Sequence, residues 1–77
     1  MIMSARYLRD TQTVSQVSTK WVGKPDNDNE IVYVLFESTS NEFVPERWYV
    51  YGKFHDARPI DYANLPEAVR LAHMLLT

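Results

Sequence analysis

Cysteine is absent from this 77-residue chain, so it forms no disulfide and carries no thiolate to serve as nucleophile or zinc ligand. Its two histidines are too few for the usual structural zinc sites. Glycine is almost as scarce: Gly23 and Gly52 are the only two, too few to build a phosphate-cradling glycine-rich loop. No Gly-x-Ser-x-Gly nucleophile elbow occurs. A basic surplus is missing as well. Eight Lys and Arg face ten Asp and Glu, for a net charge of −2, whereas a generic duplex binder needs an excess of cations to displace counterions. The longest apolar run, Ile31–Phe36, has six residues, far short of the ~20 that a membrane-spanning helix needs. The opening residues Met1, Ile2, Met3, Ser4, Ala5 and Arg6 lack the apolar stretch of a signal peptide. The expectation is a cytoplasmic protein without cofactor, metal, membrane attachment or enzymatic activity.

Large side chains are what the sequence does supply. Five Tyr, three Phe and two Trp provide ten aromatics, each burying roughly 150–250 Å², a large payload for a chain with room for one domain. A domain of this size buries only about 60% of its unfolded surface, so a dimer that covers further apolar area is also open to it.

The clearest element is at the end of the chain. Asn64 is a good N-cap, Pro66 falls in the first turn and Glu67 completes a capping-box-like pattern at the positive end of the helix dipole. Leu65, Ala68, Val69, Ala72, Leu75 and Leu76 then recur at helical spacing, predicting an amphipathic helix to Thr77 with Leu71 and Met74 widening the apolar arc. Residues 30–37 (EIVYVLFE) and 47–54 (RWYVYGKF) predict strands. The first is apolar on both faces, as a central strand covered on both sides would be. In the second, Trp48, Val50, Gly52 and Phe54 alternate with Arg47, Tyr49, Tyr51 and Lys53. Residues 11–22 have the Thr, Val and Ser content of a strand. They also show helical spacing of Val14, Val17 and Trp21 and a Thr13–Gln16 capping-box pattern; strand is the preferred assignment. Residues 1–8 are a candidate edge strand, and residues 55–63 are expected to be a loop with Ile60 and Tyr62 against the core. The predicted fold is α+β: a small antiparallel sheet of three to four strands with one C-terminal helix packed across one face.

Three constellations bear on function. Asp26, Asp28, Glu30 and Glu37 have the spacing of a calcium loop at its start and its twelfth position. Ile31, however, stands where the sharp turn needs glycine, so a solvated turn leading into a strand is the better reading. His55, Asp56, Asp61 and His73 form a possible acid–base or metal set, without any HxH, HxxxH or HxxE spacing. Arg47, Tyr49, Tyr51 and Lys53 place basic and aromatic residues on one strand face, suited to protein contact or to stacking the bases of a single nucleic-acid strand. The tyrosines also fit ordinary half-buried sheet positions.

In size and mild acidity the chain is similar to small phage or mobile-element proteins that block host machinery, including inhibitors of CRISPR nucleoproteins. That likeness implies an inhibitor or adaptor whose acidic residues imitate phosphate charge, with Asp26, Asp28, Glu30, Glu37, Glu42 and Glu46 clustered on one side. The expected function is non-enzymatic binding to another protein or nucleoprotein. The surfaces expected to carry it are Arg47, Tyr49, Tyr51 and Lys53, together with Asp26, Asp28 and Glu30, which would present carboxylates to a basic partner. A single-stranded nucleic-acid binder is the alternative, and a small enzyme the remoter one.

Overall fold

A computed structural model describes residues 4–10, 13–20, 23–25, 27 and 29–76, apart from the side chains of His55 and Leu76. Four strands, β1 (Ala5–Arg9), β2 (Ile31–Phe36), β3 (Trp48–Gly52) and β4 (His55–Pro59), form an open antiparallel sheet in the order β1-β2-β3-β4. One helix, α1 (Glu67–Leu76), follows. This is the α+β architecture that the hydrophobic pattern predicts.

Strand β2 is the central wall. It pairs with β1 in the register Ala5↔Phe36 to Arg9↔Val32, and with β3 from Ile31↔Gly52 to Leu35↔Trp48. Because strand side chains alternate, its apolar residues feed two cores. On the helix side, Tyr33 and Leu35 join Leu8 and Trp48 of the sheet and Leu65, Val69 and Ala72 of the helical segment, with Val14, Val17, Val50 and Ile60 around them. On the helix-free side, Val32, Val34 and Phe36 join Ala5, Tyr49 and Tyr51, with Tyr7, Phe43 and Ala57 packed against them. Burial of each large aliphatic side chain contributes about 1.5–3 kcal/mol, so a ten-residue helix that presents Val69 and Ala72, with Leu65 buried just before it, gains enough by docking to persist.

Local details depart from the sequence pattern in four places. Residues 11–22 do not form the preferred strand where they are described. Val14–Gln16 is a single 3-10 turn, with the Gln16 side chain accepting from the Thr13 N–H at 3.1 Å. Beyond it, Val17 packs against the helix-side core and Ser18 forms an isolated bridge to Tyr7. The cap chemistry of Thr13 and Gln16 prevails over the β propensity of their neighbours. Trp21 and Val22 lie outside the described residues.

Residues 55–63 are not a loop: they contain β4 and a 3-10 turn, Tyr62–Asn64. Pro59 hid the strand, yet a proline is tolerated on a sheet edge where its missing N–H faces outward. Ile60 donates its N–H to the Trp48 carbonyl at 3.0 Å, which turns the neighbouring Pro59 nitrogen away from β3. Asn64, expected as the N-cap, closes that 3-10 turn instead. The first helical bonds, from the N–H groups of Val69 and Arg70, go to the Pro66 carbonyl. Finally, Ala68 and Leu75 of the expected buried stripe are exposed.

Candidate functional site

Helix α1 covers one face of the sheet. The other face is left to loops, and they do not close it. Between them lies an open groove of about 700 Å³ lined by Lys24, Glu42, Phe43, Tyr49, Tyr51, Asp56, Ala57 and Pro59. Tyr49 and Tyr51 form its floor from β3, and Ala57 and Pro59 form one wall from β4. Glu42 and Phe43 form the other wall, in the 37–47 connection. That connection is fastened by aromatic contacts. The Phe43 ring stacks on Phe36 with centroids 4.3 Å apart and 11° between planes, and meets Tyr49 edge-on at 5.0 Å. The Val44 N–H donates to the Tyr49 hydroxyl at 3.1 Å. At the far rim, Lys24 Nζ lies 3.1 Å from Asp56 Oδ1.

The expected face of Arg47, Tyr49, Tyr51 and Lys53 is not an exposed platform. Tyr49 and Tyr51 are only 6% and 5% exposed, so their rings are core and only their margins reach the groove. Burial pushes the Tyr51 hydroxyl up to about 12, with the Glu42 charge and Tyr49 adding to the effect, so it stays a neutral phenol at physiological pH. Arg47 and Lys53 precede and follow β3 and diverge from it. The Arg47 guanidinium lies 3.8 Å from Asp61, and Lys53 Nζ sits 5.2 Å from the Phe54 ring centroid at the hairpin tip.

The described members of the acidic set, Glu30, Glu37, Glu42 and Glu46, do not form one cluster. Asp26 and Asp28 lie outside the described residues. Glu30 and Glu37 flank opposite ends of β2 and are each ion-paired, Glu30 with Arg9 and Glu37 with Arg6 at 2.5 Å. Glu37 also accepts from the Ser4 hydroxyl at 2.8 Å. With an extended strand between them, they do not close a calcium loop. Among the described residues, no group of three or more His, Asp or Glu side chains is placed to hold a metal ion, and no helix is long and apolar enough to cross a membrane.

A second, smaller cleft of about 390 Å³ lies where the helix meets the end of the sheet, lined by Glu46, Arg47, Trp48, Ile60, Asp61, Tyr62 and His73. The buried Trp48 indole donates to His73 Nδ1 at 2.8 Å, and Tyr62 meets the His73 ring edge-on at 5.2 Å. Indole nitrogen is a donor only, so neutral His73 carries its proton on Nε2 and offers no lone pair there for proton abstraction. Asp61 and His73 share this cleft. His55 and Asp56 begin β4 at its other end, and Asp56 is tied to Lys24. The four residues of the possible acid–base set are therefore not brought together.

Lys24, Phe43, Ala57 and Pro59 were not singled out from the sequence, and Glu42 only as one of the six acidic residues expected to cluster. One signal was available: Phe43 is the one aromatic in the connection 37–47 and follows the polar stretch 37–42, and such a residue must pack on something. Comparison with protein-family models, curated proteins and solved structures finds no match to this chain.

Proposed function

We propose that this chain is a non-enzymatic protein-binding module that receives a partner segment in the groove on the helix-free face. The observation that carries the proposal is the asymmetry of the sheet. One face is covered by α1, while the other keeps an open channel with an aromatic floor and walls from β4 and the 37–47 connection. A concave surface with an apolar base and a polar rim is what a recognition site requires. Pro59 blunts the β4 edge, so a partner engages by side chains entering the groove rather than by adding a strand. The tyrosines contribute as the rigid floor, not as a platform for stacking bases. The groove's one Lys or Arg, Lys24, is already paired with Asp56, so nothing in it favours a phosphate backbone.

The test is affinity capture from nuclease-treated lysate, comparing wild type with Pro59→Trp, which fills the groove from an exposed position, and Leu71→Trp on the exposed flank of α1. A stoichiometric protein retained by wild type and Leu71→Trp and lost with Pro59→Trp is the expected result. Recovery of no such protein, or its full retention by Pro59→Trp, refutes the proposal.

A further inference from the structure

Building on that groove, we infer that the partner group it selects is an arginine side chain, its guanidinium lying over the outer face of Phe43 and paired with Glu42. The aromatic geometry provides the platform. Phe43 is half-buried and nearly parallel to Phe36 at 4.3 Å, so one face of its ring is used by the core, while the residue as a whole lines the groove. The neighbouring residue supplies the charge. All eight Lys and Arg lie among the described residues, and their ion pairs there are Arg6 with Glu37, Arg9 with Glu30, Lys24 with Asp56 and Arg47 with Asp61. Glu42 has no such partner among the described residues. Among the described residues that line the groove, one cation and two carboxylates leave an excess negative charge, and that excess is the Glu42 carboxylate.

An anionic ligand is disfavoured by this balance. A metal ion is not served by the one carboxylate there that is not already tied to a lysine. A guanidinium fits on three counts. Its plane stacks on an aromatic face, its fork pairs with a carboxylate through two hydrogen bonds, and its weak hydration suits a partly desolvated site. Lysine meets only the charge requirement. The methylene stem of the arginine then rests against Pro59 and Ala57, and the remaining volume takes the residues beside it.

The full chain, labelled with ¹⁵N, is titrated with the neutral-capped peptide acetyl-Gly-Arg-Gly-amide and with its Lys and Glu counterparts. The Arg peptide is expected to shift amide signals of Glu42, Phe43, Tyr51 and Ala57, with the Lys peptide weaker and the Glu peptide inert. Glu42→Gln, at an exposed position whose spectrum reports directly on retained fold, is expected to weaken the Arg peptide about tenfold, the loss typical of one charge-assisted pair. Phe43→Leu is expected to remove the preference for Arg over Lys. Shifts that fall outside the groove, equal binding by Glu42→Gln, or no binding at millimolar peptide overturns the inference. If partner capture is still lost with Pro59→Trp while the Arg peptide fails, the groove remains the binding site and only the arginine assignment falls.

Discussion

Replacing His73 by leucine tests whether the link between helix and sheet is a specific hydrogen bond or generic packing. Leucine keeps an apolar body on the exit turns of α1 and removes the acceptor at Nδ1. The Trp48 residue is 3% exposed, so its indole N–H loses a 2.8 Å partner without gaining water. Orphaning a buried neutral donor costs about 1–3 kcal/mol. A chain of this length holds roughly 4–12 kcal/mol in total at the usual 0.05–0.15 per residue, so the loss is a large share. Urea unfolding followed by circular dichroism should show a lower midpoint with an unchanged slope, and melting should fall by about 4–8 °C per kcal/mol. The decisive measurement is the double-mutant cycle. In a Trp48→Phe background there is no N–H to orphan, so His73→Leu should cost at least about 1 kcal/mol less than it does in the wild type. Additivity within about 0.5 kcal/mol in that cycle would refute the reasoning and leave His73 as a packing residue.

Glu46 holds a left-handed backbone, φ 62°, with its N–H donating to the Phe36 carbonyl at 2.7 Å. Glu46→Gly should relieve about 1–2 kcal/mol of strain, partly offset by about 0.5–1 kcal/mol for a more flexible unfolded chain, for a net gain of up to ~1 kcal/mol in urea unfolding. Phe43→Ala removes a ring packed on Phe36 and Tyr49, and thermal unfolding should show a loss of about 1–3 kcal/mol. Tyr51 binds its proton more tightly when folded, near 12, than in the unfolded chain, near 10. Its contribution to stability is therefore complete below pH 10 and lost as pH rises toward 12, with a slope of at most ~1.4 kcal/mol per pH unit. Tyr33 is raised by burial and then by Asp10, and acts in the same direction. Glu42→Gln should lower the pKa of Tyr51 while leaving it above 10, because burial is the larger cause; tyrosine ¹³C shifts against pH will show it.

The sequence pattern locates β2, β3 and α1 well because each of them satisfies its own periodicity. Three apolar residues on each face of β2 require a layer on both sides, and both layers are present. The β4 strand was hidden for the opposite reason. At an edge, Arg58 and Pro59 answer to one neighbour only, so neither alternation nor β propensity is needed there. The site was harder to see. A strict alternation places Arg47, Tyr49, Tyr51 and Lys53 on one face, but β3 is five residues long and the outer two side chains leave it. An isolated aromatic in the connecting loop signals that Phe43 packs on something, but not that it folds back over Phe36 and Tyr49. The Trp48–His73 bond joins residues 25 apart through tertiary packing, which pairwise spacing does not encode.

The two-faced character of β2 also affects how the chain finds its alignment. In a half-polar strand, a slip of one residue puts charges into the core and is strongly penalised. Here a slip would exchange Val32, Val34 and Phe36 for Ile31, Tyr33 and Leu35, one apolar set for another, and hydrophobicity alone discriminates poorly between the two. Discrimination falls to the ends of the strand. Arg9 with Glu30 and Arg6 with Glu37 clasp β1 to β2 at both extremities and on opposite faces, so a one-residue shift turns both clasps the wrong way at once. Such half-exposed pairs are worth little as stabilisers. As paired latches, they give the native alignment an advantage that the apolar strand between them does not provide.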